Sequence, residues 1–178
     1  MFKGVLKLDM FSKSEIDYLN KIPKDKIVKI FAYNPRSLKT AQEIIDSIVA
    51  IYPNLEIKHM GASLLKISGQ NDLDIYAFSE PKDFKKFLPG ITKVIGVPLH
   101  VHNSFIEWGL KKNGFDVQFY LTQKDSPTMQ RQIKVFEVLI NNPGLLKEYE
   151  SLKESMNGKS FRRYQEKKYE FYHKILGK

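Results

Sequence analysis

The sequence predicts a mixed α/β (α+β) fold, in which a sheet with flanking helices is followed by a C-terminal helical bundle. Residues 55–60 and 72–78 alternate apolar and polar side chains, as strands with one covered face do. Asn113 and Gly114 separate two apolar-rich runs, which is the strongest short signal for a β-hairpin. Beyond residue 123 the apolar positions recur only at helical spacing.

Length and composition limit the class of protein. The 178 residues are 42% hydrophobic and 28% charged, which is typical of a globular domain. We therefore expect an α/β core at residues 1–123 and a helical region at residues 124–178, packed together as one compact unit. The absence of Cys excludes a disulfide scaffold, a thiolate metal site and a cysteine nucleophile.

Targeting signals and charge indicate the expected surroundings. No run of about 18 apolar residues occurs, and the N-terminus resembles no signal peptide, so we expect a cytoplasmic protein without membrane contact. The net charge is +9, and residues 151–178 hold eight basic and three acidic residues. This basic end suits phosphate-bearing partners such as RNA, and a solvated helix face is the alternative. The oligomeric state is not indicated.

The first third of the chain predicts two helices and a strand. Ser12 and Glu15 form a capping box for a short helix that ends near Pro23. Residues 27–31 are rich in β-branched side chains and predict a strand. Ser37 is a candidate cap for the next helix, whose apolar positions are Ala41, Ile44, Ile45, Ile48 and Val49.

The middle of the chain completes the predicted sheet. After the two alternating strands, Pro81 predicts the start of a short helix with inward apolar residues at Phe84, Phe87 and Leu88. Residues 94–102 predict another strand region. Residues 105–110 and 115–121 are the two strands of the predicted hairpin.

Three helices are predicted after the sheet. Ser126 and Pro127 begin the first, and Asn142 with Pro143 separates it from the second. Gly158 ends the second helix. The third helix places one aromatic and apolar stripe, with a single lysine in it, on one face: Phe161, Tyr164, Lys168, Phe171 and Ile175.

Asp72 and Asp74 are the residues on which the functional interpretation depends. Because side chains alternate along a strand, both lie on one face, about 7 Å apart, while Leu73 and Ile75 point into a core. Asp is a poor strand residue, and two neighbouring carboxylates repel each other unless a cation neutralises them. Mg²⁺ does so well because it prefers oxygen ligands. The alternative is a solvent-facing strand that is simply acidic.

Two further features favour a metal and phosphate site. Gly61, Ala62 and Ser63 follow the preceding strand, where small residues let backbone N–H groups approach a phosphate and Ser63 offers a hydroxyl. An ordinary turn is the alternative. Asp116 interrupts an apolar strand. If that strand pairs with residues 72–78, three carboxylates converge, which is what a pair of metal ions requires for nucleotidyl transfer.

These segments are similar to the signature of the nucleotidyltransferase (polymerase beta-like) superfamily, and the chain more narrowly resembles the GrpB family. The signature comprises a hydrophobic residue, Gly, a small pair ending in Ser, a strand with two Asp around a hydrophobic residue, and a later strand with one Asp. The matching segments here are residues 60–63, 72–75 and 115–117. Further segments that resemble the family are residues 32–36, 57–63 and 146–153, followed by Tyr164, Lys167 and Lys168.

The resemblance implies a nucleotidyltransferase-like mixed sheet and Mg²⁺-dependent transfer of a nucleotidyl group from ATP to an unknown acceptor. Asp72 and Asp74 would hold the metal ions, and Asp116 would bind the ion nearer the acceptor. Gly61 to Ser63 would hold the triphosphate, which Lys66 would also contact unless it is ordinary surface charge. The alternative is a nucleotide- or RNA-binding module that keeps the fold without catalysis. The family also shows Pro-Gly-rich residues where this chain has residues 64–71.

The histidines are less informative. His100 and His102 share a strand face without an evident third metal ligand, so ordinary strand residues are the simpler interpretation. His59 precedes the Gly-Ala-Ser turn and is a candidate for orienting it or for contacting substrate. His173 lies in the basic last helix, where we expect it to be solvated.

Overall fold

A five-stranded mixed sheet is the centre of the computed structural model, which describes residues 10–177. The strands lie in the order β1-β2-β5-β4-β3. Only the β2–β5 pair is parallel, and the other pairs are antiparallel. The bounds are Glu56–Met60 for β1, Asp72–Phe78 for β2, His100–Val101 for β3, Phe105–Lys112 for β4 and Phe115–Thr122 for β5.

Helices occupy most of the remaining described chain. Their bounds are Lys13–Lys21 for α1, Arg36–Val49 for α2, Gly61–Leu65 for α3, Phe84–Ile95 for α4, Pro127–Ile140 for α5, Pro143–Ser155 for α6 and Phe161–Leu176 for α7. A single 3₁₀ turn, Pro81–Asp83, leads into α4. The predicted mixed α/β class is confirmed, and so is the helical character of the chain beyond Ser126.

The main hydrophobic core lies on one face of the sheet. Alternate residues of β2 and β5, such as Leu73, Ile75, Val117 and Phe119, are fully buried there under α2 and α4. The predicted hairpin is confirmed: Asn113 and Gly114 have φ values of 52° and 86°, as a tight turn with two left-handed residues requires. Because β2 and β5 pair in regular register, the residues that alternate with these buried ones point to the other face of the sheet.

That other face is covered by the C-terminal helices. Met60 and Phe78 of the sheet pack with Met129 of α5. A second cluster joins α3 to α5, α6 and α7 through buried residues such as Leu65, Val135, Tyr149 and Phe171. The expected division at residues 1–123 and 124–178 stays a prediction. Among the residues described, none of the helices combines the length and the apolar character needed to cross a bilayer.

Three local predictions were wrong. Residues 27–31 do not join the sheet, because Ile27 and Phe31 form only isolated bridges, to Ser160 and Gly69. The predicted strand at residues 94–102 shrinks to His100–Val101 because α4 continues to Ile95.

Ser37 does not cap α2. It lies inside the first turn with its hydroxyl buried, and Asn34 Oδ1 instead accepts the Arg36 N–H at 3.1 Å. The Asn34 side chain therefore supplies the local hydrogen bond at the start of the helix.

Candidate functional site

A cleft of about 830 Å³ lies between the C-terminal helices and the face of the sheet opposite the main core. Its floor includes Asp72, Asp74 and Tyr76 of β2 with Gln118 and Tyr120 of β5. The opposite walls come from α5, α6 and α7, and α1 adds Ser14, Glu15 and Tyr18. The volume lies within the range of about 300–1,000 Å³ that is usual for small-molecule sites.

The three predicted carboxylates share this face of the sheet but do not form one compact cluster. Asp72 pairs in register with Asp116 on the adjacent parallel strand, which puts both on the face of Asp74. The Asp116 side chain is exposed and does not line the cleft, and Lys111 Nζ donates to its Oδ1 at 2.6 Å. Within residues 10–177, no three acidic or His side chains lie close enough together to hold a metal ion. Their roles as metal ligands stay a prediction.

Asp74 has the most perturbed carboxyl group of the floor. Burial raises its pKa to about 7, and the neighbouring Asp72 charge acts in the same direction. Lys168 and Lys153 on the helical wall lower it only in part. The Asp74 side chain therefore lacks full neutralisation in the absence of a bound cation.

The Gly-Ala-Ser segment approaches Asp74 closely. Gly61 has a φ of 81°, and a Cβ there would collide with Asp74 Oδ2, so both the backbone conformation and the space require glycine. Gly61 and Ala62 line the cleft. Ser63 Oγ lies 2.7 Å from His59 Nε2, and burial lowers the pKa of His59 to about 4. A neutral His59 thus holds the Ser63 hydroxyl.

Two lysines that the sequence did not assign to the site lie in the cleft, whereas Lys66 is exposed at the end of α3 and does not line it. Lys153 is 5% exposed, and its Nζ donates to Tyr164 Oη at 3.0 Å. Tyr172 and other neighbours raise the pKa of Lys168. Neither lysine has a carboxylate within ion-pair distance in the described chain. The only sequence feature that could have indicated these two lysines is that each lies in an apolar stripe of its helix.

Tyrosines form much of the cleft surface. Tyr76 and Tyr120 stack with centroids 5.2 Å apart and planes 14° apart. Tyr76 donates to Gln132 Oε1 at 3.0 Å, and Tyr120 donates to Glu107 Oε1 at 3.1 Å. Burial raises the pKa of both phenols. They are neutral aromatic surfaces held at fixed orientation.

A buried charged cluster fastens α1 beside the cleft. Glu15 is 4% exposed and bonds to His173 Nε2 at 3.0 Å and to Arg131. Burial opposes its ionisation, but the Ser12 N–H, His173 and Arg131 together hold its pKa below the ordinary value. His173 is therefore buried rather than solvated, which corrects the sequence-based expectation. No local sequence pattern could indicate this contact, because Glu15 and His173 are 158 residues apart.

His100 and His102 do not line the cleft. His100 and His102 are exposed with their rings 6.0 Å apart, and His100 Nδ1 lies 3.0 Å from Glu107 Oε2. With one carboxylate and no third ligand nearby in the described chain, these side chains form no metal centre.

The chain is similar to a known protein family and to solved structures. A family model described as GrpB protein matches residues 27–178. The Cid1 poly(U) polymerase, described with MgGTP bound, is similar over 76% of this chain with 12% identity and a TM-score of 0.42. A cytoplasmic RNA terminal U-transferase is similar over 80% with 13% identity and a TM-score of 0.38. This chain covers 46% of each of those two chains. No curated protein matches it.

Proposed function

The chain belongs to the GrpB family, and we propose that its mixed sheet is a nucleotidyltransferase-like fold that transfers a nucleotidyl group from Mg²⁺-bound ATP to an acceptor hydroxyl. One observation carries the proposal: two carboxylates, Asp72 and Asp74, face the buried Lys153 and the half-buried Lys168 across a nucleotide-sized cleft, and neither lysine has an acidic partner among residues 10–177. A metal ion and a polyphosphate would neutralise these opposed sets of charges together.

The residues present fit Mg²⁺. Asp72 and Asp74 offer hard oxygen ligands two residues apart on one strand face, and the raised pKa of Asp74 reflects repulsion and burial that a cation would relieve. These two side chains would hold the metal, and Asp116 would join them from the neighbouring strand. When bound, Mg²⁺ would neutralise phosphate oxygens and so lower the charge repulsion that opposes attack.

Protein groups around the cleft would bind the rest of the nucleotide. Lys153 and Lys168 would pair with phosphate oxygens, because the ammonium groups have no acidic partner in the described chain. Backbone N–H groups at Gly61 and Ala62 would add neutral donors where the absence of a Cβ lets the chain come close. The exposed side of the Tyr76–Tyr120 pair offers a face on which a base can stack. Lys66 lies outside the cleft, so it would contact only a phosphate that extends beyond the cleft.

The transfer itself is balanced without an additional reactant. The acceptor oxygen forms a bond to the α-phosphorus, the bond from that phosphorus to the α–β bridging oxygen breaks, and pyrophosphate leaves. The acceptor proton passes to a carboxylate, and Asp116, which pairs with Asp72 on the neighbouring strand, is our candidate base. Its exposed side chain can exchange Lys111 for the acceptor at little energetic cost, since exposed ion pairs contribute about 0–1 kcal/mol.

A second candidate function is a nucleotide- or RNA-binding module without catalysis. The observation that favours it is Asp116, whose carboxylate is engaged by Lys111 rather than directed at Asp72 and Asp74. Binding of ATP without transfer, or RNA binding that ignores Mg²⁺, would support this alternative.

The test is calorimetric titration of ATP with and without Mg²⁺, on the wild type and on Asp74→Asn. We expect Mg²⁺-dependent binding that Asp74→Asn removes. Asp46→Asn, a carboxylate change on the exposed side of α2, is the matched control and should bind as the wild type does. Equal affinity in the wild type and Asp74→Asn, or no Mg²⁺ dependence, would exclude the proposed site. Asp116→Asn that binds ATP but no longer transfers the label from α-labelled ATP would separate catalysis from binding.

A further inference from the structure

Residues 26–31 form an extended segment, here called the strap, that joins the two sides of the cleft. At one end, Val28 N–H donates to Lys159 O at 2.9 Å and Phe161 N–H donates to Lys26 O at 2.8 Å. At the other end, Phe31 N–H donates to Gly69 O at 2.7 Å, and Gly69 N–H donates to Phe31 O at 3.0 Å. Because its backbone is bonded at both ends, the strap presents its side chains in fixed directions.

The outward side of the strap is both apolar and basic. Ile27 is 54% exposed, Phe31 is 48% exposed, and Lys29 lies between them on the same side of an extended chain. Val28, between Ile27 and Lys29, is buried instead. Exposed Phe and Ile side chains that alternate with lysine give the surface both stacking and charge.

More lysines surround this stripe. Lys24, Lys26 and Lys159 are exposed, and residues 21–31 contain four lysines but only one acid, Asp25. Lys24, Lys29 and Lys159 form no ion pair with any residue in the range 10–177. Their charges are therefore available to an anionic partner.

The last helix, by contrast, uses its exposed basic groups internally. Arg162 donates to the carbonyl oxygens of Asn20 and Ile22. The lysine and arginine ion pairs on α7 are Arg163–Glu166, Lys167–Glu170 and Lys174–Glu148. Much of the basic charge that the sequence places in the C-terminal helix is thus neutralised there, whereas the exposed lysines around the strap stay unpaired within the described residues.

The strap surface is continuous with the cleft. Lys26 lines the cleft, with its Nζ 4.1 Å from the ring centroid of Phe161, another lining residue. A chain that lay on Phe31, Lys29 and Lys26 would end at the cleft. This arrangement fits a linear polyanion better than a small molecule, because the lysines extend outside the cleft along the strap.

We propose that the strap binds single-stranded RNA and delivers its terminal hydroxyl to the cleft as the acceptor. Single-stranded nucleic acids bind where aromatic side chains stack bases and lysines follow the phosphates, and RNA is the abundant single-stranded polyanion of cells. The acceptor role rests on the proposed function: the terminal ribose oxygen bonds to the α-phosphorus of ATP, pyrophosphate leaves, and the hydroxyl proton passes to a carboxylate. RNA binding by the strap does not depend on that reaction.

The binding experiment uses fluorescence polarisation of a labelled RNA of about 20 nucleotides with the full chain, over KCl from about 50 to about 300 mM. The variant is Lys24→Ala/Lys29→Ala/Lys159→Ala, which removes three exposed charges and no described ion pair. Lys39→Ala/Lys85→Ala/Lys93→Ala is the matched control, with three exposed lysines on α2 and α4, the helices that cover the opposite face of the sheet. Each phosphate contact contributes about −0.7 to the slope of log affinity against log salt.

We expect the strap variant to lose about tenfold or more in RNA affinity, with a slope smaller by about 2, and Phe31→Ser to lose about tenfold. The control should match the wild type. Equal loss in both triple variants, or no RNA binding by the wild type, would overturn the surface. Tighter binding of the matching DNA, or of phosphatidylserine vesicles, would overturn the RNA assignment.

A separate measurement distinguishes this proposal from the proposed function. The same RNA is incubated with Mg²⁺ and ATP, and its length is read on a denaturing gel. Extension by the wild type that falls in the strap variant, at unchanged ATP affinity, supports the acceptor role. RNA that binds the strap but is not extended by an ATP-binding wild type overturns it. Failure of ATP to bind, with RNA binding intact, would refute the proposed function and leave the strap surface in place.

Discussion

The charged form of Asp74 destabilises the metal-free protein, and the same carboxylate is a proposed metal ligand. Its carboxylate is opposed by burial and by Asp72, while Gly61 leaves room for only the bare backbone beside its Oδ2. A residue held in this way favours the protonated form in the metal-free protein, since the charged form is destabilised. Perturbed carboxyl groups of this kind are common at functional sites.

The stability of the metal-free protein should therefore depend on pH through Asp74. Its folded pKa of about 7 lies above the ordinary 3.8, so the folded state holds the proton more tightly, and this stabilisation is lost as the pH rises from about 4 to about 7. Asp74→Asn should be more stable than the wild type at about pH 8, and this difference should be clearly smaller at about pH 5, where the folded wild type still holds the proton. Urea unfolding at both pH values measures this, and a pH-independent difference would contradict it.

Mg²⁺ competes with that proton, so the pH dependence of metal binding has the opposite sign. The affinity of the wild type for Mg²⁺–ATP should rise from about pH 6 to about pH 8, as Asp74 ionises. Calorimetric titrations across that range, with the Asp46→Asn control, would show the rise. A flat profile would mean that Asp74 does not contact the metal.

Lys153 offers a test of phosphate binding that does not involve the acids. Lys153→Met keeps an unbranched side chain of similar length and removes the buried charge near Tyr149 and Tyr164. We expect ATP affinity to fall about tenfold or more, because a charged hydrogen bond contributes about 1.5–3 kcal/mol, while the free energy of unfolding does not decrease. Lys147→Met, at an exposed position of α6, is the control. Unchanged ATP affinity in Lys153→Met would place the phosphates elsewhere.

At the scale of elements, α1 illustrates what a capping box can and cannot reveal. Ser12 and Glu15 predicted the helix correctly, and both capping bonds are present. The same Glu15 also enters a buried cluster with Arg131 and His173. Its second role has no local signal, since both partners come from the other end of the chain.

Glu15→Gln should therefore cost more than the loss of a cap. It leaves Arg131 and His173 without their buried carboxylate, which destabilises by about 3–5 kcal/mol. Glu148→Gln, which breaks only the exposed pair with Lys174, should cost about 1 kcal/mol or less. Because the pKa of Glu15 is lowered, its stabilisation is present at neutral pH and is lost as the pH falls through that lowered value. Equal costs in urea unfolding would show that the cluster contributes little.

Strands were predicted correctly where apolar and polar residues alternate along the sequence. The strand predictions were wrong where this alternation is missing. Asp72–Phe78 was predicted with its bounds because one face is buried and the other polar. Residues 27–31 are rich in β-branched side chains, but their backbone partners are Gly69 and Lys159, which are far along the chain. Composition therefore indicated the extended conformation of the strap and not its pairing.

The candidate site shows the same limit at the scale of the whole molecule. The shared face of Asp72, Asp74 and Asp116 follows from strand alternation and was predictable. The opposite wall was not, because Lys153 and Lys168 reach the cleft only through the way that α6 and α7 fold over the sheet. A lysine in an apolar helical stripe is compatible with a solvated edge until that packing is known.

Packing of α7 against both halves of the chain leads to a prediction about the whole molecule. Phe161 and Tyr164 join a cluster with Leu19 and Ile22 of α1, and Phe171 joins the cluster beneath α5 and α6. Deleting residues 158–178 removes all three aromatic side chains and the backbone partners of the strap at one of its ends, Gly158, Lys159 and Phe161. Each large buried side chain contributes about 3–5 kcal/mol, and a domain has only about 5–15 kcal/mol in total.

The truncated chain should therefore lose its cooperative thermal unfolding transition and bind a dye that reports exposed apolar surface. Removing only residues 177–178 is the control and should melt as the full chain does, because the buried aromatic residues of α7 stay in place. Circular dichroism melts of the three proteins measure the difference. A truncated chain that melts at the temperature of the full protein would show that the last helix is an independent appendage, and would also remove it as a wall of the site.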